Sequence, residues 1–130
     1  MYGCKLALLV FLTALFCMGA KSADKNALVP EIPVMSIKGP IGPAVSQHLT
    51  SEINAASQQQ KAPLIIITID TPGGLVSSLR DINQAVLAST IPVACLVYPK
   101  GARAASAGTY LLYACHIAAM ATATTLGAAT

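Results

Sequence analysis

In the stretch Gly101-Ala102-Arg103-Ala104-Ala105-Ser106-Ala107-Gly108, Ser106 carries the only hydroxyl, and its immediate neighbours are all Ala or Gly. A serine at the start of a helix, behind a Gly/Ala-rich turn, presents its hydroxyl in a crevice with backbone N–H groups pointing forward beside it. Donors of that kind hold the oxyanion of an acyl-transfer intermediate, and losing one costs about 3 kcal/mol in the barrier. A second source of donors is Asp70-Thr71-Pro72-Gly73-Gly74, where two residues without Cβ permit close backbone approach. The chemistry on offer is attack of a hydroxyl on a carbonyl. Each piece also has a plainer reading: a serine near a helix start is commonly a cap, and Asp-Thr-Pro-Gly-Gly is commonly only a turn. Weight comes from the two pieces together, if successive strands end at both.

The elements that would place them can be read from periodicity. Ile32 to Ile37 is a short β-type run closed by Lys38-Gly39-Pro40 and Gly42-Pro43. Val45, Leu49, Ile53 and Ala56 then fall on one helical face, with Pro43 suited to the first turn. Leu64 to Ile69 is apolar without alternation, as expected of a parallel strand buried on both faces. Leu75, Leu79, Ile82 and Val86 mark a second amphipathic helix, and Pro92 to Val97 a further buried strand. The β-α-β-α-β order predicts an α/β domain with functional loops at the carboxyl ends of its strands. Those loops are Asp70 to Gly74 and Tyr98 to Ala105. Ala104 to Ala114 reads as a helix with Ser106 in its first turn, and His116 to Ala121 as one more short strand. The chain then stops at Thr130 with no closing element, so the fold is expected to be truncated at its carboxyl end.

Composition narrows the class. A chain of 130 residues holds one domain, and residues 1–20 read as a secretory signal peptide: a basic start to Lys5, an apolar run from Leu6 to Met18, then Gly19-Ala20. The run falls short of the roughly 20 residues of a spanning helix, although a retained anchor is the alternative. Residues 21–31 read as an extended lead-in. A formal charge of +3 from scattered lysines and arginines excludes an electrostatic nucleic-acid surface. Cys4 and Cys17 lie in the signal segment; Cys95 and Cys115 lie in apolar segments and read as two buried thiols in preference to a disulfide. No Cys/His spacing suits a metal.

Three blocks give a more specific expectation: Ile69-Asp70-Thr71-Pro72-Gly73-Gly74-Leu75, Gly101 to Tyr110, and Thr124-Thr125-Leu126-Gly127-Ala128-Ala129. In this order and spacing they resemble the NfeD family of membrane-bound serine proteases, within the Clp-protease and crotonase class, from about Val34 to Thr130. The resemblance implies that residues 32–130 are part of a Clp-like serine protease domain. It makes Ser106 the nucleophile, assigns the N–H groups of Gly73, Gly74 and Ala107 to the oxyanion hole, and has a peptide bind as an added strand beside Leu75 and Val76. It implies a lysine base in a later segment that the sequence does not contain, no cofactor or metal, a hydrophobic peptide substrate, a stomatin-like membrane protein as partner, and a homo-oligomer. It also implies membrane attachment through downstream helices, with the protease domain outside the cytoplasm.

Other polar residues read more simply. Lys100 precedes the nucleophile in an unburied loop, His116 stands about fifteen Å further along if the helix continues, His48 faces solvent, Asp70 orders its own turn, and Arg80 and Asp81 lie on the wet face of their helix. Two rivals to a peptidase are a peptide-binding scaffold that keeps the cleft without the base, and a crotonase-type acyl-thioester site, which an export signal disfavours.

Overall fold

The computed structural model describes residues 30–129. The expected signal peptide, nearly all of the lead-in, and Thr130 lie outside the described residues.

Strands β1 (Val34–Lys38), β2 (Ile65–Asp70), β3 (Val93–Val97) and β5 (Ile117–Met120) form one parallel sheet in the order β1-β2-β3-β5. Helices α1 (Pro43–Gln59), α2 (Val76–Ala88) and α3 (Ala107–Ala114) connect them, and β4 (Arg103–Ala105) pairs in parallel with β6 (Thr125–Gly127). Each crossover moves one strand further in the same direction, so right-handed connections put all three helices on one face. Burial follows from that. Ile65, Ile67 and Ile69 of β2, with Val93, Cys95 and Val97 of β3, are wholly inaccessible on the helix side. Ile66, Thr68, Ala94 and Leu96, on the opposite face, are only half-buried. The expectation that β2 is buried on both faces is therefore corrected: the described helices all pack against one side.

The helices form where the apolar stripes indicate. Pro43 opens α1, where its missing N–H has no intrahelical acceptor to lose. Leu49 and Ile53 are sealed in the core with Val45 and Ala56 at its margin, each full Leu or Ile burial contributing about 1.5–3 kcal/mol. Gln60 ends the helix in the left-handed region, its N–H donating to Ala56 O at 3.1 Å. In α2, Leu79, Ile82 and Val86 are buried, but Leu75 is the N-cap and 54% exposed, outside the stripe in which it was counted.

Cys95 and Cys115 form a disulfide, with Cα atoms 5.9 Å apart. This corrects the reading of two free thiols. The α3 helix ends at Ala114, and Cys115 turns back onto the middle of β3, within bridging distance of Cys95.

Candidate active site

Ser106 sits between β4 and α3 rather than inside a helical turn. The segment Arg103–Ala105 is held extended by β6, and the helix begins at Ala107, so the chain reverses direction at the serine. Its backbone has φ 51° and ψ −115°, a combination that costs an L side chain on the order of 1–3 kcal/mol. Several bonds over-determine it. Ser106 N–H donates to Gly127 O at 2.9 Å and Ser106 O accepts from Thr109 N–H at 2.9 Å. The Thr109 hydroxyl is shared between Ala104 O at 2.8 Å and Gly127 O at 2.9 Å. Ser106 occupies the N-cap position, yet its hydroxyl makes no capping bond. The cap reading is thus right about position and wrong about bonding. A serine raised on a strained strand-to-helix turn is the geometry of a nucleophile elbow, and such a turn needs small residues on either side. Ala104 is fully buried, and a Cβ on Gly108 would overlap Thr71 Cγ2.

The Gly73-Gly74 turn at the end of β2 packs directly on this elbow. A Cβ on Gly73, whose φ is +113°, would lie 2.8 Å from Ser106 Cβ and 3.2 Å from Ser106 Oγ. The two loops singled out in the sequence are therefore in contact. Gly74 is needed for a different reason: it bridges Ile41 in parallel, and a Cβ there would fall 2.6 Å from Ile41 N. The bridge uses Gly73 O, accepting from Ile41 N–H at 2.8 Å, and Leu75 N–H, donating to Ile41 O at 2.9 Å. In a parallel bridge the N–H of Gly74 itself then faces the other way.

These bonds sort the expected donors. Gly73 N–H is turned inward, donating to Thr71 Oγ1 at 3.0 Å. Gly74 N–H and the N–H of Ala107, the first residue of α3, have no acceptor within the elements that carry them. Leu75 and Val76 are exposed beside the turn, but Leu75 N–H is committed to Ile41 and Val76 begins α2. The Gly74 backbone edge that faces away from Ile41 takes no part in that bridge.

The remaining polar residues are dispersed. His116 Nδ1 accepts from Val93 N–H at 3.2 Å at the amino-terminal start of β3, the opposite end of the sheet from the Gly73-Gly74 turn. Asp70 does not order its own turn: its Oδ1 accepts from Arg103 N–H at 3.2 Å, tying the β2 end to the loop before Ser106. Thr71 orders the turn instead, through its buried hydroxyl. Lys100, His48, Arg80 and Asp81 are exposed, and Asp81 Oδ2 accepts a long 3.5 Å bond from Ser46 Oγ. Among the described residues no side chain bonds Ser106 Oγ and no group of His, Cys, Asp and Glu could hold a metal. Sequence reasoning passed over Thr71, Thr109 and Gly127. All three lay within the quoted blocks, but their bonds reach across the fold, and periodicity carries no trace of that.

A parallel sheet with a strained serine between a strand and a helix, backed by a Gly-Gly turn, defines a Clp-protease-like α/β domain. The chain belongs to the NfeD1b family: the family's N-terminal domain matches residues 30–130. It is 44% identical over 95 residues to the membrane-bound protease PH1510 of Pyrococcus horikoshii, covering 73% of this chain and 21% of that one. It is 37% identical over 110 residues to the membrane protein NfeD1b of Bacillus subtilis, covering 82% of this chain and 24% of that one. The chain thus spans about a quarter or less of the curated relatives it matches. Among solved structures it resembles the 1510-N membrane-bound stomatin-specific protease. A lysine-to-alanine mutant of that protein in complex with a substrate peptide superposes with a TM-score of 0.72 at 43% identity, covering 78% of this chain and 47% of the other. A serine-to-alanine mutant superposes with a TM-score of 0.71 at 42% identity, covering 75% and 47%.

Proposed function

We propose that this chain contributes the nucleophile half of a membrane-associated serine endopeptidase. Ser106 attacks a peptide carbonyl, and the N–H groups of Gly74 and Ala107 hold the oxyanion, while Gly73 gives close backing to the serine. The amine leaves, and water releases the acyl-enzyme. The observation that carries this reading is the strained Ser106 backbone held against Gly73, a conformation with no benefit to a mere cap.

The base is a lysine beyond residue 130, a reading supported by the lysine mutant of the peptide-bound neighbour. The same neighbour's description as stomatin-specific supports a stomatin-like membrane protein as substrate. The peptide pairs along the Gly74 edge, with the exposed Leu75 and Val76 favouring hydrophobic side chains. Export through the amino-terminal signal puts the domain outside the cytoplasm, downstream segments attach it to the membrane, and neither metal nor cofactor takes part. Exposed Tyr113, Ile117 and Met120 on α3 and β5 favour assembly into a homo-oligomer. Among the described residues no helix is long and apolar enough to cross a membrane.

A scaffold that binds peptide without cutting it is the second reading, favoured by the lack of a described side chain bonded to Ser106 Oγ. Peptide hydrolysis by residues 30–130 alone, compared with a form extended to the length of the neighbouring protease domain, separates the two. We expect cleavage only in the extended form, rising on the alkaline side as the lysine amine loses its proton, and abolished by Ser106→Ala. An extended form that binds the peptide and leaves it intact would establish the scaffold.

A further inference from the structure

We infer that Thr71 is the positioning residue that sets the Gly73-Gly74 turn against the Ser106 elbow. The inference rests on the peptidase reading above and adds a residue to it.

Thr71 is completely buried and touches both halves of the site. Its backbone belongs to the nucleophile side: Thr71 N–H donates to Arg103 O at 2.7 Å and Thr71 O accepts from Ala105 N–H at 3.1 Å, a parallel bridge centred on Ala104. The residue one step before Ser106 is therefore hung directly on Thr71. Its side chain belongs to the oxyanion side. The hydroxyl accepts from Gly73 N–H at 3.0 Å and donates to Gly73 O at 3.1 Å, closing both backbone polar groups of Gly73 onto a single oxygen. Its methyl lies where a Cβ on Gly108 would fall, beneath the first turn of α3.

Three consequences follow. Without a Cβ, Gly73 has a wide choice of backbone conformations, and the two Thr71 bonds hold it at φ +113°. With Gly73 N–H occupied, the next amide along, Gly74 N–H, is the one presented. The spacing between that amide and Ser106 is fixed by a single rigid residue, since Thr71 cannot shift without disturbing the Ala105 bond and the packing on Gly108. The Thr71 hydroxyl bonds Gly73 and not Ser106 Oγ, so it acts through Gly73.

Two near-isosteric variants separate this role from ordinary packing. Thr71→Val keeps the shape and deletes the hydroxyl; Thr71→Ser keeps the hydroxyl and deletes the methyl. In the extended, lysine-containing protease domain we expect Thr71→Val to lower kcat about tenfold or more with KM changed less than about threefold, as for a group whose influence is felt in the transition state. Thr71→Ser should recover most of the lost kcat. Hydrogen exchange at the Gly73 amide, read on the same proteins, should speed up in Thr71→Val and not in Thr71→Ser. Equal kcat in Thr71→Val and wild type, or equal losses in both variants, would overturn the inference. If wild type shows no Ser106-dependent turnover, the peptidase reading fails by itself, and the exchange measurement decides for or against the Thr71 restraint: unchanged Gly73 exchange in Thr71→Val refutes it.

Discussion

Replacing Gly73 by alanine tests the contact on which the site depends. Two costs arise there. The φ of +113° lies where an L side chain is strained, for about 1–2 kcal/mol. The new Cβ would also sit 2.8 Å from Ser106 Cβ and 3.1 Å from Ala105 O, so the elbow must move. Overpacking of that kind costs about 1–3 kcal/mol, giving roughly 2–5 kcal/mol in all when both act. Gly101 separates the two, because its φ is +86° but a Cβ there meets nothing within 4 Å. Gly101→Ala should therefore show only the conformational cost of about 1–2 kcal/mol. Urea denaturation of wild type and both variants gives the two free energies, and a fluorophosphonate serine probe gives the labelling rate. In the extended, lysine-containing domain we expect Gly73→Ala to be destabilised by the larger amount and to label Ser106 far more slowly, while Gly101→Ala labels at nearly the wild-type rate. Equal stabilities and equal labelling in the two alanine variants would show that Gly73 does not abut Ser106.

Further outcomes follow from the same geometry. Cys115→Ala, which leaves the buried Cys95 in place, should lower stability by about 3 kcal/mol under oxidising conditions, the loop-closure value for the 20-residue separation, and should make stability insensitive to dithiothreitol; a wild-type denaturation curve unmoved by reductant would contradict the bond. His116→Ala should leave labelling of Ser106 intact, because its imidazole is engaged with Val93 at the far end of the sheet; loss of labelling in a folded variant would bring a histidine into the mechanism.

Short-range pattern sufficed where the determining interaction was itself local. Leu49 and Ile53, or Leu79, Ile82 and Val86, are core residues because a helix of that period has one apolar face, and the β2 and β3 runs end in loops because Asp70-Thr71-Pro72-Gly73-Gly74 and the turn after Val97 interrupt them. Ser106 stood out for the same reason, as one hydroxyl among small residues, whereas its Gly-Gly backing, 33 residues away, could be expected only from the order of the strands and from the family blocks. Long-range pairing was not. Arg103–Ala105 is too short and too alanine-rich to announce a strand, and it becomes one only because Thr125–Gly127 lies beside it. The reversal at Ser106 depends on Gly127 O and on Thr71, residues far from it in the chain. The cysteines failed likewise: their apolar surroundings argued for free thiols, while the approach of Cys115 to β3 is set by where α3 stops. One-sided burial of β2 needed the handedness and direction of three successive crossovers together.

Ser106 as the nucleophile is the central claim, and covalent mapping addresses it most directly. The extended, lysine-containing domain is treated with a fluorophosphonate, digested, and the modified peptide sequenced by mass spectrometry. We expect a single adduct, on Ser106, absent from Ser106→Ala and formed more slowly when the Gly73 turn is disturbed. An adduct on any other residue, or labelling that persists undiminished in Ser106→Ala, would contradict it.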